Sequence, residues 1–239
     1  MELIAHRGMP RKSRENTLAG FVRAVAAGAD AIELDVHATA DGVIVVHHDP
    51  ILPPPSGRPV GSHGPAIATS TFDSLRQDTV YGVDIPTLGE TLACIGRRTF
   101  TYVEIKAAGI ERRVLDVLDG HHASAAVHSF DHRVSLRCRE LAPKRPTGIL
   151  SASYLLEPGR VLQTANARDY WQSWELIDEA LVERVHRAGG RILAWTVNSV
   201  EDAARLKSMG VDGVCTDVAD VIGASLRARG GGAGAPSDS

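Results

Sequence analysis

This chain of 239 residues contains few cysteines, no long apolar run and only a small excess of negative charge. Its three cysteines, Cys94, Cys138 and Cys215, are far apart and form no CxxC pair, which argues against a disulfide framework or a zinc site. A formal net charge of −3 offers no broad basic surface for nucleic acid. The chain has no run of 18 apolar residues and no basic leader before an apolar stretch. We therefore expect a cytoplasmic protein that does not insert stably into a membrane.

Apolar segments rich in β-branched residues alternate with amphipathic segments along the whole chain, as parallel β-α units require. The predicted strands are 3–6, 31–36, 102–106, 125–129, 147–150, 169–173, 192–197 and 213–216. The predicted helices include 17–27, 110–118, 132–141, 178–188, 200–209 and 219–228, and a glycine follows several of them. Eight such units in a chain of this length predict an α/β fold, the closed (β/α)8 TIM barrel.

The segment from Asp35 to His48 breaks this alternation, because it contains two extended runs around Asp41-Gly42 and no crossover helix. The second run must then fold back antiparallel on the second strand. Counting outward from a turn between Asp41 and Gly42, the hairpin is predicted to bring Asp35 and His48 side by side.

Residues from about 50 to 86 are rich in Pro, Gly, Ser and Thr and contain few core residues. We interpret them as an insertion over the barrel mouth, too small to fold alone. A single domain over residues 1–229 is therefore predicted. Residues 230–239 are predicted to form a disordered tail, because they contain too little apolar surface to pack.

Acidic side chains occur at the ends of two predicted strands, where barrel enzymes build their active sites. Glu33 and Asp35 are two residues apart and so project from one face of a strand, and Glu104 ends the next predicted barrel strand. Three inward carboxylates repel one another unless a cation neutralises them, and an all-oxygen ligand set selects Mg²⁺ or Ca²⁺. For any one carboxylate alone, pairing with a nearby Arg or Lys at the surface is the competing interpretation.

His6 and His48 are the predicted acid/base pair, because imidazole titrates near neutrality and can give or accept a proton. Arg7 and Lys106 are predicted to contact the non-bridging phosphate oxygens. A histidine at a strand end more often serves as a structural hydrogen bonder, and His47 is expected to face away from His48. The remaining histidines are assigned to that structural class: His37, His63, His121, His122, His128, His132 and His186.

Short motifs along nearly the whole chain resemble those of the glycerophosphodiester phosphodiesterase family. In chain order they are His6-Arg7-Gly8, Glu15-Asn16-Thr17, Glu33-Leu34-Asp35-Val36, Thr39 with Asp41-Gly42, His48-Asp49-Pro50, Pro86-Thr87-Leu88, Glu104-Ile105-Lys106, Ser129-Phe130, Trp195-Thr196-Val197-Asn198, Gly210-Val211-Asp212-Gly213 and Thr216-Asp217. Each motif alone is weak, but their order and spacing together are specific.

The resemblance implies a (β/α)8 barrel with the catalytic pair His6 and His48 and with phosphate contacts from Arg7 and Lys106. It also implies one divalent cation held by three acidic residues, Glu33, Asp35 and Glu104. Trp195 is implied to line the substrate pocket, while packing inside the barrel is the alternative for this aromatic residue.

The predicted reaction is metal-dependent hydrolysis of a small-molecule glycerophosphodiester to glycerol 3-phosphate and an alcohol, through a cyclic phosphate. This activity belongs to lipid and glycerol metabolism. Two alternatives remain open: a phosphodiesterase for lysophospholipids or phosphoinositides that uses the same site, and a non-catalytic barrel that binds glycerophosphodiesters. The identity of the alcohol, the choice between Mg²⁺ and Ca²⁺, and the histidine that begins as the base also remain open.

Overall fold

The computed structural model describes residues 1–54, 63–77, 85–96 and 99–230. The strands are β1 (Glu2–His6), β2 (Ala31–Ala38), β3 (Ile44–Val46), β4 (Phe100–Ile105), β5 (Ala125–Ser129), β6 (Thr147–Ser151), β7 (Asp169–Ser173), β8 (Arg191–Trp195) and β9 (Gly213–Thr216). The α-helices are α1 (Leu18–Ala26), α2 (Phe72–Gln77), α3 (Leu88–Ile95), α4 (Glu111–Gly120), α5 (His132–Leu141), α6 (Pro158–Ala165), α7 (Glu179–Arg187), α8 (Val200–Ser208) and α9 (Ala219–Gly230). Two short 3₁₀ helices span Ile67–Thr69 and Trp174–Leu176.

Eight of these strands form a closed parallel barrel. Its order is β1, β2, β4, β5, β6, β7, β8 and β9, and β9 pairs in turn with β1, which closes the ring. The helices surround the barrel, so the predicted (β/α)8 TIM barrel is confirmed. Each predicted strand overlaps an observed one, including 169–173, which coincides with β7.

Local sequence signals account for where the helices begin and end. A side-chain oxygen before the helix accepts a hydrogen bond from a backbone N–H of the first turn at α1, α5, α7 and α8, at the caps Thr17, Asp131, Asp178 and Ser199. Gly28, Gly189 and Gly210 follow helices with φ near +80° or +90°, as predicted for glycines that end them. The segment predicted to have a poor helical period, 154–165, is helical only from Pro158 onward.

The hairpin after the second barrel strand is confirmed, but its predicted register is wrong by one residue. In the antiparallel β2–β3 pair Val36 lies opposite Val46, and the backbone N–H of His47 donates to the carbonyl of Asp35 at 3.0 Å. The cause is a three-residue loop: the N–H of Thr39 donates to the carbonyl of Val43 at 3.0 Å. The Thr39 side chain also accepts from the N–H of Val43 at 2.9 Å, which holds this longer loop closed.

The described part of the insertion packs on β3, and its 3₁₀ helix Ile67–Thr69 also contacts the barrel strand β2. A small buried cluster joins Val45 of β3 to Leu52, Ile67, Leu75 and Ile85. The segments 55–62 and 78–84 of the predicted insertion lie outside the described residues. So does 231–239 of the predicted tail, whereas Gly230, also assigned to that tail, ends α9.

Strand alternation divides the barrel residues into two layers. Residues that point outward, such as Leu3 and Ile32, join the buried cluster under the helices, while their neighbours Ile4 and Ala31 fill the interior with Trp171. Toward the carboxyl ends of the strands the same inward positions carry ionisable side chains. The alternation that builds the apolar barrel interior therefore also places the charged groups at its mouth.

Candidate active site

A cavity of about 280 Å³ opens at the carboxyl ends of the barrel strands. Its lining includes most of the residues singled out from the sequence together with aromatic and apolar side chains: His6, Arg7, Glu33, His48, Glu104, Lys106, His128, Phe130, Leu150, Trp171, Trp195, Thr196 and Cys215. The structure thus brings together seven of the eight predicted site residues in one lining, and the eighth, Asp35, lies directly beneath it in contact with Arg7 and Lys106.

Two of the three predicted acidic ligands converge with a histidine. One ligand atom from each of Glu33, Glu104 and His128 lies within 4.8 Å of the other two, and all three residues are buried. Burial and the negative charges of Asp35 and Glu33 raise the pKa of Glu104, even though Lys106 opposes the shift. Lys106 Nζ lies 2.8 Å from Glu104, yet burial of this carboxylate still disfavours its ionised form, so a cation placed among the three ligand atoms would stabilise the cluster.

Asp35 is fully buried and is held by other polar groups. Its carboxylate lies 3.0 Å from Arg7 Nε and 3.4 Å from Lys106 Nζ, and it accepts a hydrogen bond of 2.9 Å from the amide of Asn16. Burial alone would raise the pKa of Asp35, but the two cations and Asn16 outweigh it and lower the pKa to about 2. Asp35 therefore remains ionised and orients both predicted phosphate contacts.

A tight turn after β1 aims Arg7 at this carboxylate. Arg7 has a φ of 49° and Gly8 has a φ of 88°. A Cβ added to Gly8 would lie 2.9 Å from the backbone of Gly20, so this position requires glycine both for its backbone angle and for space.

His6 is braced by an aspartate that arrives from the other end of the chain. Its Nδ1–H donates to Asp217 at 2.6 Å, and its Nε2 lies 3.9 Å from Glu33. Asn198 donates to the second oxygen of Asp217 at 2.8 Å and accepts from the backbone N–H of Asp217 at 2.9 Å. Burial lowers the pKa of His6, but the Asp217 hydrogen bond and the Glu33 charge outweigh it, so the net pKa is raised. His6 is thus held in one orientation with Nε2 left for chemistry.

His48 reaches the same cavity from the segment after β3. Its Nδ1–H donates to Asp49 at 2.8 Å, and its backbone carbonyl accepts from His37 Nε2 at 3.0 Å. His47 instead lines a separate cavity beside Glu15 and Asn16, in agreement with the prediction that it faces away from His48. The two predicted acid/base histidines therefore line the same cavity, and each has its Nδ1 bound to a carboxylate.

An aromatic wall forms the remaining side of the cavity. Trp195 and Phe130 meet edge to face with ring centroids 5.4 Å apart, and Phe130 is 45% exposed. Deeper in the cavity, Trp171 stacks on His128 with centroids 4.6 Å apart. A Cβ on Gly148 would lie 2.9 Å from the Trp171 indole nitrogen, so glycine at this position leaves room for the ring.

Sequence reasoning gave no site role to Asp217 and Asn198, and it placed His128 among the structural histidines. The signal for His128 was its place near the end of a barrel strand, since its Cα is in register with that of Glu104 on the neighbouring strand. Asp217 follows the inward Cys215 by two positions, which is the same alternation that relates Asp35 to Glu33. Asn198 gave no such signal, because its partner is set by how β8 and β9 meet.

A barrel whose mouth combines two carboxylate-bound histidines, an acidic cluster and two cations belongs to the class of (β/α)8 enzymes that act on phosphate esters. The chain belongs to the glycerophosphoryl diester phosphodiesterase family, whose model matches residues 6–221. It is a phosphoric diester hydrolase of that family.

Similar proteins agree in sequence and in fold. A glycerophosphodiester phosphodiesterase from Caldanaerobacter subterraneus is 32% identical over 231 residues, which cover 90% of this chain and 93% of that protein. A crystal structure from Silicibacter pomeroyi, assigned as a glycerophosphoryl diester phosphodiesterase, superposes with a TM-score of 0.87 at 28% identity and covers 96% of this chain and 94% of its own. A phosphodiesterase from Oleispira antarctica in complex with the product sn-glycerol-3-phosphate shares the fold, with a TM-score of 0.84 at 24% identity and coverage of 95% and 97%. Within the described ranges, no helix has the length and apolar character needed to cross a membrane.

Proposed function

We propose that this protein hydrolyses glycerophosphodiesters to glycerol 3-phosphate and an alcohol, with a divalent cation and with His6 and His48 as the acid/base pair. The observation that carries the proposal is the shared cavity, into which both histidines, the acidic cluster, Arg7 and Lys106 project. Its volume of about 280 Å³ suits a small polar substrate. The family membership and the product bound to the Oleispira antarctica phosphodiesterase support the same reaction.

The residues present fit a divalent cation. Glu33 and Glu104 are buried close together, and burial is the main cause of the raised pKa of Glu104, so an added cation would stabilise its ionised form. In the proposal Glu33, Asp35 and Glu104 hold the ion, as the resemblance implies. When bound, the ion supplies positive charge beside the phosphate and the glycerol hydroxyls.

The cations of the chain bind and orient the phosphate. Arg7 Nε and Lys106 Nζ lie on two sides of the Asp35 carboxylate, which holds both positive groups at the cavity. A guanidinium can bind two phosphate oxygens through a planar fork, while an ammonium acts as a point charge. Together they stabilise the negative charge that develops on the non-bridging oxygens during transfer.

Each histidine can move a proton at Nε2, because Nδ1 is bound to a carboxylate. A glycerol hydroxyl gives its proton to one imidazole, its oxygen attacks phosphorus, and the bond from phosphorus to the alcohol breaks. The other imidazole gives its proton to the departing alcohol oxygen. Water then opens the cyclic phosphate with the two roles exchanged, which yields glycerol phosphate and restores both rings.

A substrate panel tests the proposal. The purified protein is given glycerophosphocholine, glycerophosphoethanolamine, glycerophosphoglycerol and micellar lysophosphatidylcholine, with and without EDTA, and release of glycerol 3-phosphate is followed. We expect turnover of the water-soluble diesters that EDTA abolishes and that added divalent cation restores. Activity confined to the micellar lipid would favour the lipid phosphodiesterase alternative, and binding of the soluble diesters without any turnover would favour the non-catalytic barrel.

A further inference from the structure

His128 lies at the wall of the acidic cluster with its ring held in place. It is 2% exposed, and Trp171 stacks on it at an interplanar angle of 29°. Its Cα is paired in register with Glu104, and its Nε2 lies 3.7 Å from an oxygen of Glu33. The backbone and the stacked indole therefore both direct the imidazole toward the two carboxylates.

The ring nitrogens of this histidine make no hydrogen bond within the part of the chain that the structure describes. Nδ1 is buried without a partner, and the 3.7 Å between Nε2 and Glu33 exceeds hydrogen-bond distance. Buried imidazoles ordinarily satisfy their polar atoms, so this arrangement needs an explanation. Two donor atoms that share one ion through bonds of about 2.1 Å are separated by about 3 to 4 Å, which fits the 3.7 Å between His128 Nε2 and Glu33.

We propose that His128 is a nitrogen ligand of the metal ion beside Glu33 and Glu104, and that it makes the site selective for Mn²⁺, Co²⁺ or Zn²⁺ over Mg²⁺ and Ca²⁺. This inference rests on the proposed metal-dependent function. Mg²⁺ and Ca²⁺ take oxygen ligands, whereas imidazole suits first-row transition ions and zinc. A ligand set that adds one imidazole to the carboxylates therefore differs in its preference from the all-oxygen set expected from the sequence.

Asp35 differs from the other two predicted acidic ligands in its surroundings. Its carboxylate is held by Arg7, Lys106 and Asn16, and it does not belong to the cluster formed by Glu33, Glu104 and His128. The ligand that the structure adds to the predicted carboxylates is thus a nitrogen donor.

Pulsed EPR of Mn²⁺ bound to the wild-type protein tests the ligand assignment directly. We expect coupling of the manganese electron spin to a ¹⁴N nucleus, and loss of that coupling in His128→Asn. The matched control is His186→Asn, which removes an imidazole that is bonded to Asp212 outside the cavity. Absence of nitrogen coupling in the wild type, or its persistence in His128→Asn, would overturn the assignment.

Calorimetric titrations of the metal-free proteins with Mn²⁺, Co²⁺, Mg²⁺ and Ca²⁺ test the selectivity. Loss of a hydrogen-bonding partner of a metal ligand weakens binding by about 10- to 100-fold, and we expect His128→Asn to weaken Mn²⁺ and Co²⁺ binding at least that much. Mg²⁺ and Ca²⁺ binding should change far less, because asparagine retains an oxygen donor. An equal loss of affinity for all four ions would contradict the proposed selectivity. If His128→Asn does not fold, the EPR measurement on the wild-type protein still tests the ligand assignment.

These measurements use no substrate, so they separate the two proposals. A protein that binds Mn²⁺ through nitrogen but hydrolyses no glycerophosphodiester would refute the proposed function and leave the ligand assignment standing. EDTA-sensitive turnover without nitrogen coupling would refute the ligand assignment alone.

Discussion

On each side of the cavity a histidine Nδ1 is bound to an aspartate, but the His6 pair is more deeply buried than the His48 pair. The side chains of His6 and Asp217 are each 18% exposed, whereas those of His48 and Asp49 are 33% and 69% exposed. Asp217 is held in turn by Asn198, while Asp49 is the next residue along the chain from its histidine. The two rings therefore differ in how firmly the fold orients them.

The difference follows from the topology of the barrel. Closure brings β9 next to β1, so that Asp217 reaches His6 across 211 residues of sequence. His48 follows β3, which lies outside the barrel ring and pairs with the outer end of β2. A contact made by barrel closure is buried and preorganised, whereas a contact between neighbouring residues in a surface segment is exposed to solvent and screened.

The largest expected effect is the same on both sides. His6→Ala and His48→Ala should each reduce the turnover of glycerophosphocholine by about 10²- to 10⁴-fold, the contribution of a positioned proton-transfer group. Metal binding, measured by calorimetry, should remain intact in both. A near-normal rate in either variant would remove that histidine from the proposed pair.

A smaller effect on kcat should distinguish the Asp217–His6 contact from the Asp49–His48 contact. Asp217→Asn should lower kcat by about 100-fold, at the lower end of what a proton-transfer group contributes, because it removes the carboxylate that orients His6. Asp49→Asn should lower kcat at most about fivefold, since exposed ion pairs contribute about 1 kcal/mol or less. Steady-state kinetics on both variants measures the contrast.

The controls for these two variants are the KM for glycerophosphocholine and the melting temperature. Since neither aspartate lines the cavity, KM should change little in both variants. Equal losses of kcat would show that burial of the His6 contact has no catalytic consequence. A melting temperature low enough to unfold Asp217→Asn under the assay conditions would assign its effect to folding instead.

The smallest expected effect is on stability at low pH. Burial raises the pKa of Asp217, but the hydrogen bond and charge of His6 and the bond from Asn198, with Arg11 nearby, lower it overall. Since the folded pKa lies below the unfolded value of about 3.9, the stabilisation is present above about pH 4 and is lost as the pH falls through the folded pKa. The free energy of unfolding of the chelator-treated wild type should exceed that of Asp217→Asn by no more than about 1 kcal/mol near pH 5. That difference should shrink as the pH falls through the folded pKa of Asp217, and a difference that stays constant over the acid range would show that ionisation of Asp217 is not its source.

Most of the fold could be predicted from periodicity, because most barrel strands are short apolar runs and several helices carry a side-chain cap. The hairpin shows that counting residues outward from a turn does not fix the register of the paired strands. Its Asp-Gly pair predicted the turn, but Thr39 closes a three-residue loop, and the register moved by one residue. Loop length depends on which side chain caps the loop, and the spacing of the strands does not report that.

The candidate site could be predicted in part for a similar reason. Strand-end positions identified Glu33, Asp35 and Glu104 as inward carboxylates, but they could not distinguish Asp35, which lies between Arg7 and Lys106, from the two that face His128. That distinction depends on the turn at Arg7 and on the reach of Lys106 from a neighbouring strand.

The sequence by itself determined the eight β-α units, the inward alternation and the identity of the ionisable groups at the strand ends, because each of these is a local or periodic property of the chain. Tertiary structure alone decided which groups meet: Asp217 with His6, Asn198 with Asp217, and His128 with the acidic cluster. Such pairs join strands that are distant in sequence, so they exist only after the barrel closes and sets the stagger between neighbouring strands.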